Sequence, residues 1–298
     1  MNSLAGLIRI SCLGLATASG LMAQEPPPPP KVIQIYREEV KPGKGAAHEK
    51  LEAQWPAAFA KANHESHYLA MTSLTGPPEV WFLTGYDSFA AWEKDINHVE
   101  KNVALRAELD RLGEKDAEFI SGGRSIVAIN RPELNNGPHV DISKIRYMRV
   151  TTYRVKPGHE KDFTDAVKIV KEAYEKAKIE QSWAVFQMNG GMQVPTFMVW
   201  IPMKSLADVD TGLGRSQTIR DAQGEEGQKA LAKLAGDGYA SIDSQILAFN
   251  PKMSYPSKEM AARDPEFWNS KPAAAAPKKS DAKKATPKKE AAKPAEKK

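Results

Sequence analysis

Apolar and polar residues alternate with the period of a β-strand in two stretches that end in the same turn. Residues 32–40 lead into Val40-Lys41-Pro42-Gly43, and a later stretch leads into Val155-Lys156-Pro157-Gly158. Apolar residues then recur at helical spacing, which predicts a helix after each turn, with a break at Pro56 in the first. The predicted apolar faces comprise Leu51, Trp55 and Phe59 in the first helix and Phe163, Val167 and Val170 in the second.

The rest of each half continues in a similar way. Apolar runs at 68–74 and 80–86 flank Thr75-Gly76-Pro77-Pro78, which predicts a β-hairpin, and runs at 183–188 and 196–201 repeat it around Gly190-Gly191. A second helical stretch follows, capped in the first half by Asp87 or Ser88. A closing strand then ends each half, so the predicted order is strand, helix, strand, strand, helix, strand, twice over.

This order predicts an α+β fold of two tandem ferredoxin-like (βαββαβ) units, at 32–131 and 145–256, with a linker at 132–144. Helices cover one face of such a sheet and leave the other bare. The central runs at 80–83 and 197–201 lack polar alternation, so we expect both faces of these strands to be buried. We therefore expect the two sheets to pair as an intramolecular barrel around a shared space.

The element order, the repeated Val-Lys-Pro-Gly opening and the tandem pairing resemble the dimeric α/β-barrel superfamily over roughly residues 32–251. Within it, the chain is similar to the antibiotic-biosynthesis monooxygenase-like, NIPSNAP-like and stress-responsive barrel group, with EthD-like and chlorite dismutase-like families as relatives. The specific family stays open. The resemblance implies an enclosed pocket for a small, often aromatic molecule or for haem, and it implies several incompatible chemistries.

Polar residues on the first strand of each unit are the main candidates for ligand contact. If Ile33 and Ile35 pack under the helices, alternation turns Tyr36 and Glu38 toward the enclosed space. Arg149 and Tyr153 would face it from the second unit. Glu38 and Arg149 then either pair with each other or orient a polar ligand, with the two tyrosines as walls.

Histidines supply the alternative candidates. We predict no bound metal or cofactor, but His64, His67 and His98 could together ligate a divalent metal, or one of them a haem iron. The triplet His-Glu-Lys occurs in both halves, at 48–50 and 159–161. The triplet lies at the start of a predicted helix in each half. There a charged residue complements the helix dipole, so we interpret both triplets as solvent-exposed surface turns.

The beginning of the chain indicates where the protein acts. Residues 1–23 have a weakly basic start, an apolar centre and Ala23 before Gln24, which predicts a secretory signal peptide. The single cysteine, Cys12, lies within that segment, so the mature chain would have no thiol for a disulfide, catalysis or metal binding. These features predict a secreted or periplasmic bacterial protein whose mature chain has no transmembrane segment.

Low-complexity sequence flanks the two units. Residues 24–31 contain five consecutive prolines, which predicts a stiff spacer, and 257–298 form a Lys/Ala/Pro-rich tail predicted to be disordered. Although the chain has a net charge of +5, residues 271–298 carry ten lysines and three acidic residues, so the remainder is slightly acidic. The tail could attract an anionic surface non-specifically or only aid solubility, and no specific nucleic-acid site is predicted.

Three functions remain open from the sequence. The first is an exported protein that binds an unidentified small molecule between its two sheets. The second is a cofactor-independent monooxygenase-type enzyme in which Tyr36, Glu38 or Arg149 steers proton transfer. The third is a non-catalytic interaction module with a packed barrel and a polyanion-binding tail. Association of two chains into a homodimer is a further alternative, and whether the protein is an enzyme is undecided.

Overall fold

The computed structural model of the protein describes residues 25–269. The predicted signal peptide at 1–23 lies outside the described residues, as do Gln24 and the tail from 270 onward. No helix within the described range is both long enough and apolar enough to cross a membrane.

Eight strands and eight α-helices follow the predicted order closely. Pro56 lies at the start of the second helix, where it separates two short helices as expected, and Ser88 caps the third. The strands are β1 Val32–Val40, β2 Tyr68–Ser73, β3 Glu79–Tyr86, β4 Ile120–Asn130, β5 Tyr147–Val155, β6 Ala184–Gly190, β7 Thr196–Met203 and β8 Tyr239–Phe249. The helices are α1 Gly45–Glu52, α2 Trp55–Lys61, α3 Phe89–Lys101, α4 Val103–Asp116, α5 Glu160–Lys176, α6 Ala207–Asp237, α7 Lys258–Arg263 and α8 Pro265–Trp268.

The strands form one closed antiparallel barrel in the order β1-β3-β2-β8-β5-β7-β6-β4. Each half contributes four adjacent strands, and the pairs β2–β8 and β4–β6 join the halves. This confirms the expectation of an α+β fold with a closed barrel, to which both halves of the chain contribute strands. Closure also leaves no sheet edge exposed.

The inside of the barrel is filled mainly by apolar side chains, together with an ion pair of Arg37 and Glu79 beside Trp81. Trp81 and Trp200 meet edge to face with their ring centroids 6.0 Å apart, and Phe186 packs against Trp200 in the same manner. Around them lie other side chains that are almost fully buried, including Ile35, Met71, Ile126, Met198 and Leu247. The barrel centre is therefore a packed core, in contrast to the shared ligand pocket that the family resemblance implies.

Alternation along the first strand of each half was predicted correctly, but its direction was wrong. Ile33 and Ile35 point into the barrel, and so do Met148 and Val150 on β5. Glu38 and its neighbours of the same parity consequently face outward, toward the helices. In a barrel both faces of a strand are covered, so period-two alternation does not reveal which face is inside.

The C-terminal segment is folded as far as the structure describes it, which corrects the predicted boundary of the tail at 257. Ser257 caps α7 through a bond from the amide of Met260 to its Oγ. Trp268 in α8 is 5% exposed, and its indole N–H donates to the carbonyl of Ser143 at 2.9 Å. This tryptophan joins the barrel core, so residues 257–269 complete the fold.

Candidate metal centre

Four ionisable side chains meet in the layer between the outer face of the first-half sheet and its helices. Glu38 extends from β1, His48 and Glu52 lie one turn apart on α1, and Asp116 is the last residue of α4. All four are at most 5% exposed. A layer that is usually apolar thus holds three carboxyl groups and one imidazole.

The four groups converge closely enough to surround one ion. His48 is central, with its Nε2 2.9 Å from Oε2 of Glu38 and 3.4 Å from Oδ1 of Asp116. One ligand atom from each of the four residues lies within 4.8 Å of the others. In the described part of the chain, this is the only group of three or more His, Cys, Asp and Glu residues whose side chains converge closely enough to hold a metal ion.

Burial and mutual repulsion make the acids of this cluster weak. Burial, followed by the charges of Glu38 and Asp116, raises the pKa of Glu52 to about 9. Burial and Glu38 likewise raise the pKa of Asp116 to about 6. Without a cation, the cluster therefore retains a proton on Glu52 at neutral pH, because a dry site does not tolerate so much unpaired negative charge.

Several polar atoms in and beside the cluster lack hydrogen-bond partners within the described residues. Oε1 of Glu52 and Oδ1 of Asp116 are buried and make no hydrogen bond. The Tyr68 hydroxyl, whose pKa the charge on Glu52 raises, also makes no hydrogen bond. Nε1 of Trp55 makes none of good geometry, but the indole lies close enough to the Glu52 carboxyl to lower its pKa. Buried polar atoms normally have a hydrogen-bond partner. The unpartnered atoms of the cluster are therefore available to an ion or to ordered water.

The second half shows how the same layer can be built without charge. Counted from the shared Val-Lys-Pro-Gly turn, the positions of Glu38, His48 and Glu52 correspond to Tyr153, Phe163 and Val167. Those three residues pack together in an apolar cluster, with the rings of Tyr153 and Phe163 5.4 Å apart. Folding of this architecture therefore does not require the polar group of the first half.

His48 was misjudged from the sequence as a surface residue, because its triplet His48-Glu49-Lys50 recurs at His159. The two triplets are not structurally equivalent. His48 is the fourth residue of α1 and points inward, whereas His159 precedes α5 and pairs with Asp162 at 2.8 Å while partly exposed. Alignment on the turn, rather than on the triplet, would have placed His48 opposite Phe163.

Tyr36 is the exposed neighbour of the cluster. Its side chain leaves the sheet on the same face as Glu38, and it is 39% exposed. The phenol lies against the backbone of Gly123, where an added Cβ would be 2.6 Å from its hydroxyl. Burial and then the charge of Glu38 raise its pKa, which shows that Tyr36 senses the cluster from the solvent side.

The other two predicted ligand contacts, Arg149 and Tyr153, lie in the second half, also on the outer face. Tyr153 is packed against Phe163 and Tyr239. Glu38 pairs with His48 and makes no pair with Arg149. The structure therefore places Tyr36 and Glu38 together and leaves Arg149 and Tyr153 elsewhere; ligand contact by any of the four stays a prediction.

The histidine alternative of the sequence, His64, His67 and His98, does not converge on one point in the described residues. Nε2 of His64 binds Asp95 at 3.0 Å, and the rings of His64 and His98 are 5.3 Å apart. His67 packs instead against the ring of Tyr255 at 4.7 Å. Asp95 also accepts bonds from Ser66 and Tyr86, which makes this a hydrogen-bonded structural network.

No protein-family model matches this chain, and no curated protein matches it. Among solved structures, it is similar to an anthrone oxidase-like protein, with 13% identity, a TM-score of 0.49, and coverage of 76% of this chain and 95% of the other. A proposed monooxygenase from Fusobacterium nucleatum gives 14% identity, a TM-score of 0.47, and coverage of 74% and 93%.

A mutant chlorite dismutase from Candidatus Nitrospira defluvii, in complex with cyanide, is a more distant neighbour. It shares 9% identity with a TM-score of 0.43, over 78% of this chain and 95% of the other. At these scores the neighbours carry no argument about chemistry, so function must be inferred from the site itself.

Proposed function

We propose that this protein, an α/β barrel of two tandem ferredoxin-like units, binds a divalent transition-metal ion through Glu38, His48, Glu52 and Asp116. The observation that carries the proposal is the convergence of four buried donors, two of which have oxygens without a hydrogen-bond partner in the described chain. Buried carboxylates need a counter-charge, and one imidazole cannot supply it for three of them.

The donor set indicates the class of metal. Three carboxylates and one imidazole suit Mn²⁺, Fe²⁺, Co²⁺ or Zn²⁺, since imidazole is a good ligand for the later metals and carboxylate for Mn²⁺. Ca²⁺ and Mg²⁺ favour oxygen-only sets with more ligands or several waters. Nε2 of His48 already faces two carboxylates, so a metal ion would take the place of its proton.

Binding would be coupled to proton release and to stability. A metal ion requires the ionised form of Glu52, so affinity rises with pH as the proton on that carboxyl is displaced. At a free metal concentration about 100 times the Kd, the folded state gains about 2.7 kcal/mol. The bound ion could serve structure alone or act as a Lewis acid, and Tyr36, which is 39% exposed, lies beside it.

The test uses the protein stripped with EDTA and titrated with Co²⁺, whose visible absorption reports nitrogen and oxygen coordination. We expect one ion per chain and a higher melting temperature. Glu52→Gln and Asp116→Asn should each weaken binding at least about tenfold, whereas His159→Gln, at the partly exposed triplet of the second half, should bind as the wild type does. Equal binding by Glu52→Gln, or no binding of Co²⁺, Mn²⁺ or Zn²⁺, would refute the proposal.

The other functions are less well supported by the arrangement of the residues. A ligand or haem between the sheets would have to displace Trp81, Trp200 and their neighbours from a packed core. The monooxygenase hypothesis needs a substrate beside Tyr36, Glu38 or Arg149. Of these, Glu38 is buried against His48, and no described feature marks an oxygen site beside the other two. The hypothesis of a packed interaction module agrees with the barrel core but leaves the buried acids without a role.

Export to the periplasm or the exterior remains a proposal based on residues 1–23. N-terminal sequencing of the protein from its own host should show cleavage after Ala23, and an intact Met1 on the mature protein would contradict it.

The lysines of residues 271–298 support a second proposal, weak attraction to anionic surfaces. Binding to vesicles rich in anionic lipid should then fall steeply with salt and vanish on deletion of 271–298.

A further inference from the structure

Arg149 is the one half-buried arginine of the described chain without a carboxylate partner. Six arginines in residues 25–269 are partly buried, and five have a carboxylate oxygen within 4.0 Å. Arg149 makes neither an ion pair nor a side-chain hydrogen bond with any described residue. Desolvating a guanidinium without a counter-charge costs free energy, so its position calls for an anionic partner.

Arg149 lines a cleft of about 390 Å³ on the outer side of the second-half sheet. Its neighbours across the sheet are Ile201 on β7 and Ile246 on β8. Tyr174 of α5 and Leu213 and Arg215 of α6 complete the walls. The volume is within the range of small-molecule sites. Polar and charged side chains form the larger part of the lining, and Tyr174, Ile201 and Leu213 supply an apolar part.

We propose that this cleft binds a small organic acid, with its carboxylate paired to Arg149 and its apolar body against Tyr174, Ile201 and Leu213. A planar carboxylate matches the two parallel N–H groups of a guanidinium. Arg215, which is exposed at the rim, adds a second positive charge.

Two acidic residues also line the cleft, but neither neutralises Arg149. Asp208 is engaged at the start of α6, where its Oδ2 accepts from the amide of Lys204 at 2.8 Å. Glu180 is exposed and makes no ion pair within the described residues. The cleft therefore presents Arg149 to a ligand without a direct carboxylate contact of its own.

The experiment compares phenylacetate with its uncharged isostere phenylacetamide by calorimetry or ligand-observed NMR, using the metal-stripped protein. We expect the wild type to bind the acid at least about tenfold more tightly than the amide. Arg149→Met should lose that preference. Arg154→Met removes the same charge from an exposed position on the same strand and should behave as the wild type.

A second variant keeps the inference testable if Arg149→Met does not fold. Gly212 lines the cleft, and no atom lies within 4 Å of a Cβ placed there, so Gly212→Trp should fill the space and abolish binding of both probes. Equal affinity of wild type and Arg149→Met for phenylacetate would overturn the inference. Equal affinity of the wild type for acid and amide, or no binding up to about 10 mM, would do the same.

Discussion

Replacement of Glu52 by glutamine should change how the stability of the metal-free protein depends on pH. The folded pKa of Glu52 is raised to about 9, mainly by burial, from an ordinary value of 4.5. Between these values the folded state holds a proton that the unfolded state has released. Stability therefore falls as pH rises through this window and stops falling above pH 9. Glutamine has the same shape and no proton to lose.

The magnitude follows from one proton per molecule. Each pH unit inside the window removes about 1.4 kcal/mol, so the wild type should lose about 2.7 kcal/mol between pH 6 and pH 8 because of Glu52. For a fold of this size, that corresponds to a decrease in Tm of about 5–10 °C. Saturation with the proposed metal should abolish the Glu52 contribution, because the ion replaces the proton.

The assay is urea or thermal unfolding in EDTA at both pH values, comparing wild type, Glu52→Gln and Glu175→Gln. Glu175 is an exposed glutamate on α5 and serves as the matched control. Burial lowers the pKa of His67, which gives a slope of opposite sign near pH 6.5, but it is present in all three proteins and cancels in the differences. The same pH dependence in wild type and Glu52→Gln would refute the assignment of a protonated, buried Glu52.

Other predictions concern the fold. Trp268→Ala should cost about 3–5 kcal/mol in urea unfolding, because a nearly buried indole leaves the barrel core; a loss below 1 kcal/mol would mean that α8 is not packed there. Glu79→Ala should cost about 3 kcal/mol by leaving the half-buried Arg37 without its partner, and the double change to methionine, Arg37→Met with Glu79→Met, should cost less. Ser88→Ala should cost about 1 kcal/mol, measured as a shift in the unfolding midpoint, since Ser88 accepts the amide of Ala91 at the start of α3.

Element order was predictable because local signals are strong in this chain. The shared turns, the proline at the start of α2 and the hairpin residues each act over a few positions. Closure of the barrel was also predictable, since strands such as β3 and β7 are apolar on both faces and must be covered twice. Which face of each strand points into the barrel was not predictable, because both faces are buried and alternation alone does not distinguish them.

The cluster of Glu38, His48, Glu52 and Asp116 is predictable only by comparing the two halves position by position. His48 is inconspicuous within its own helix, and the recurrence of its triplet at His159 suggested a shared surface role. The informative signal is the contrast at equivalent positions, where Glu38, His48 and Glu52 stand opposite Tyr153, Phe163 and Val167. Asp116 gives no such signal. The halves differ in length before their last strands, so no equivalent position can be assigned to Asp116 in the second half, and only the fold brings it to the other three residues.

That contrast also weighs the cost of the cluster against its use. The second half fills the layer between sheet and helices with aromatic and aliphatic contacts, each of which favours folding. The first half fills it with acids whose raised pKa values show that they are held in an unfavourable environment. The cluster of the first half opposes stability, and the second half shows that the fold does not need it. Such a destabilising arrangement is expected where a bound ligand supplies compensating free energy. The divalent ion that we propose would supply it here, because its charge is the one component that four converging donors lack.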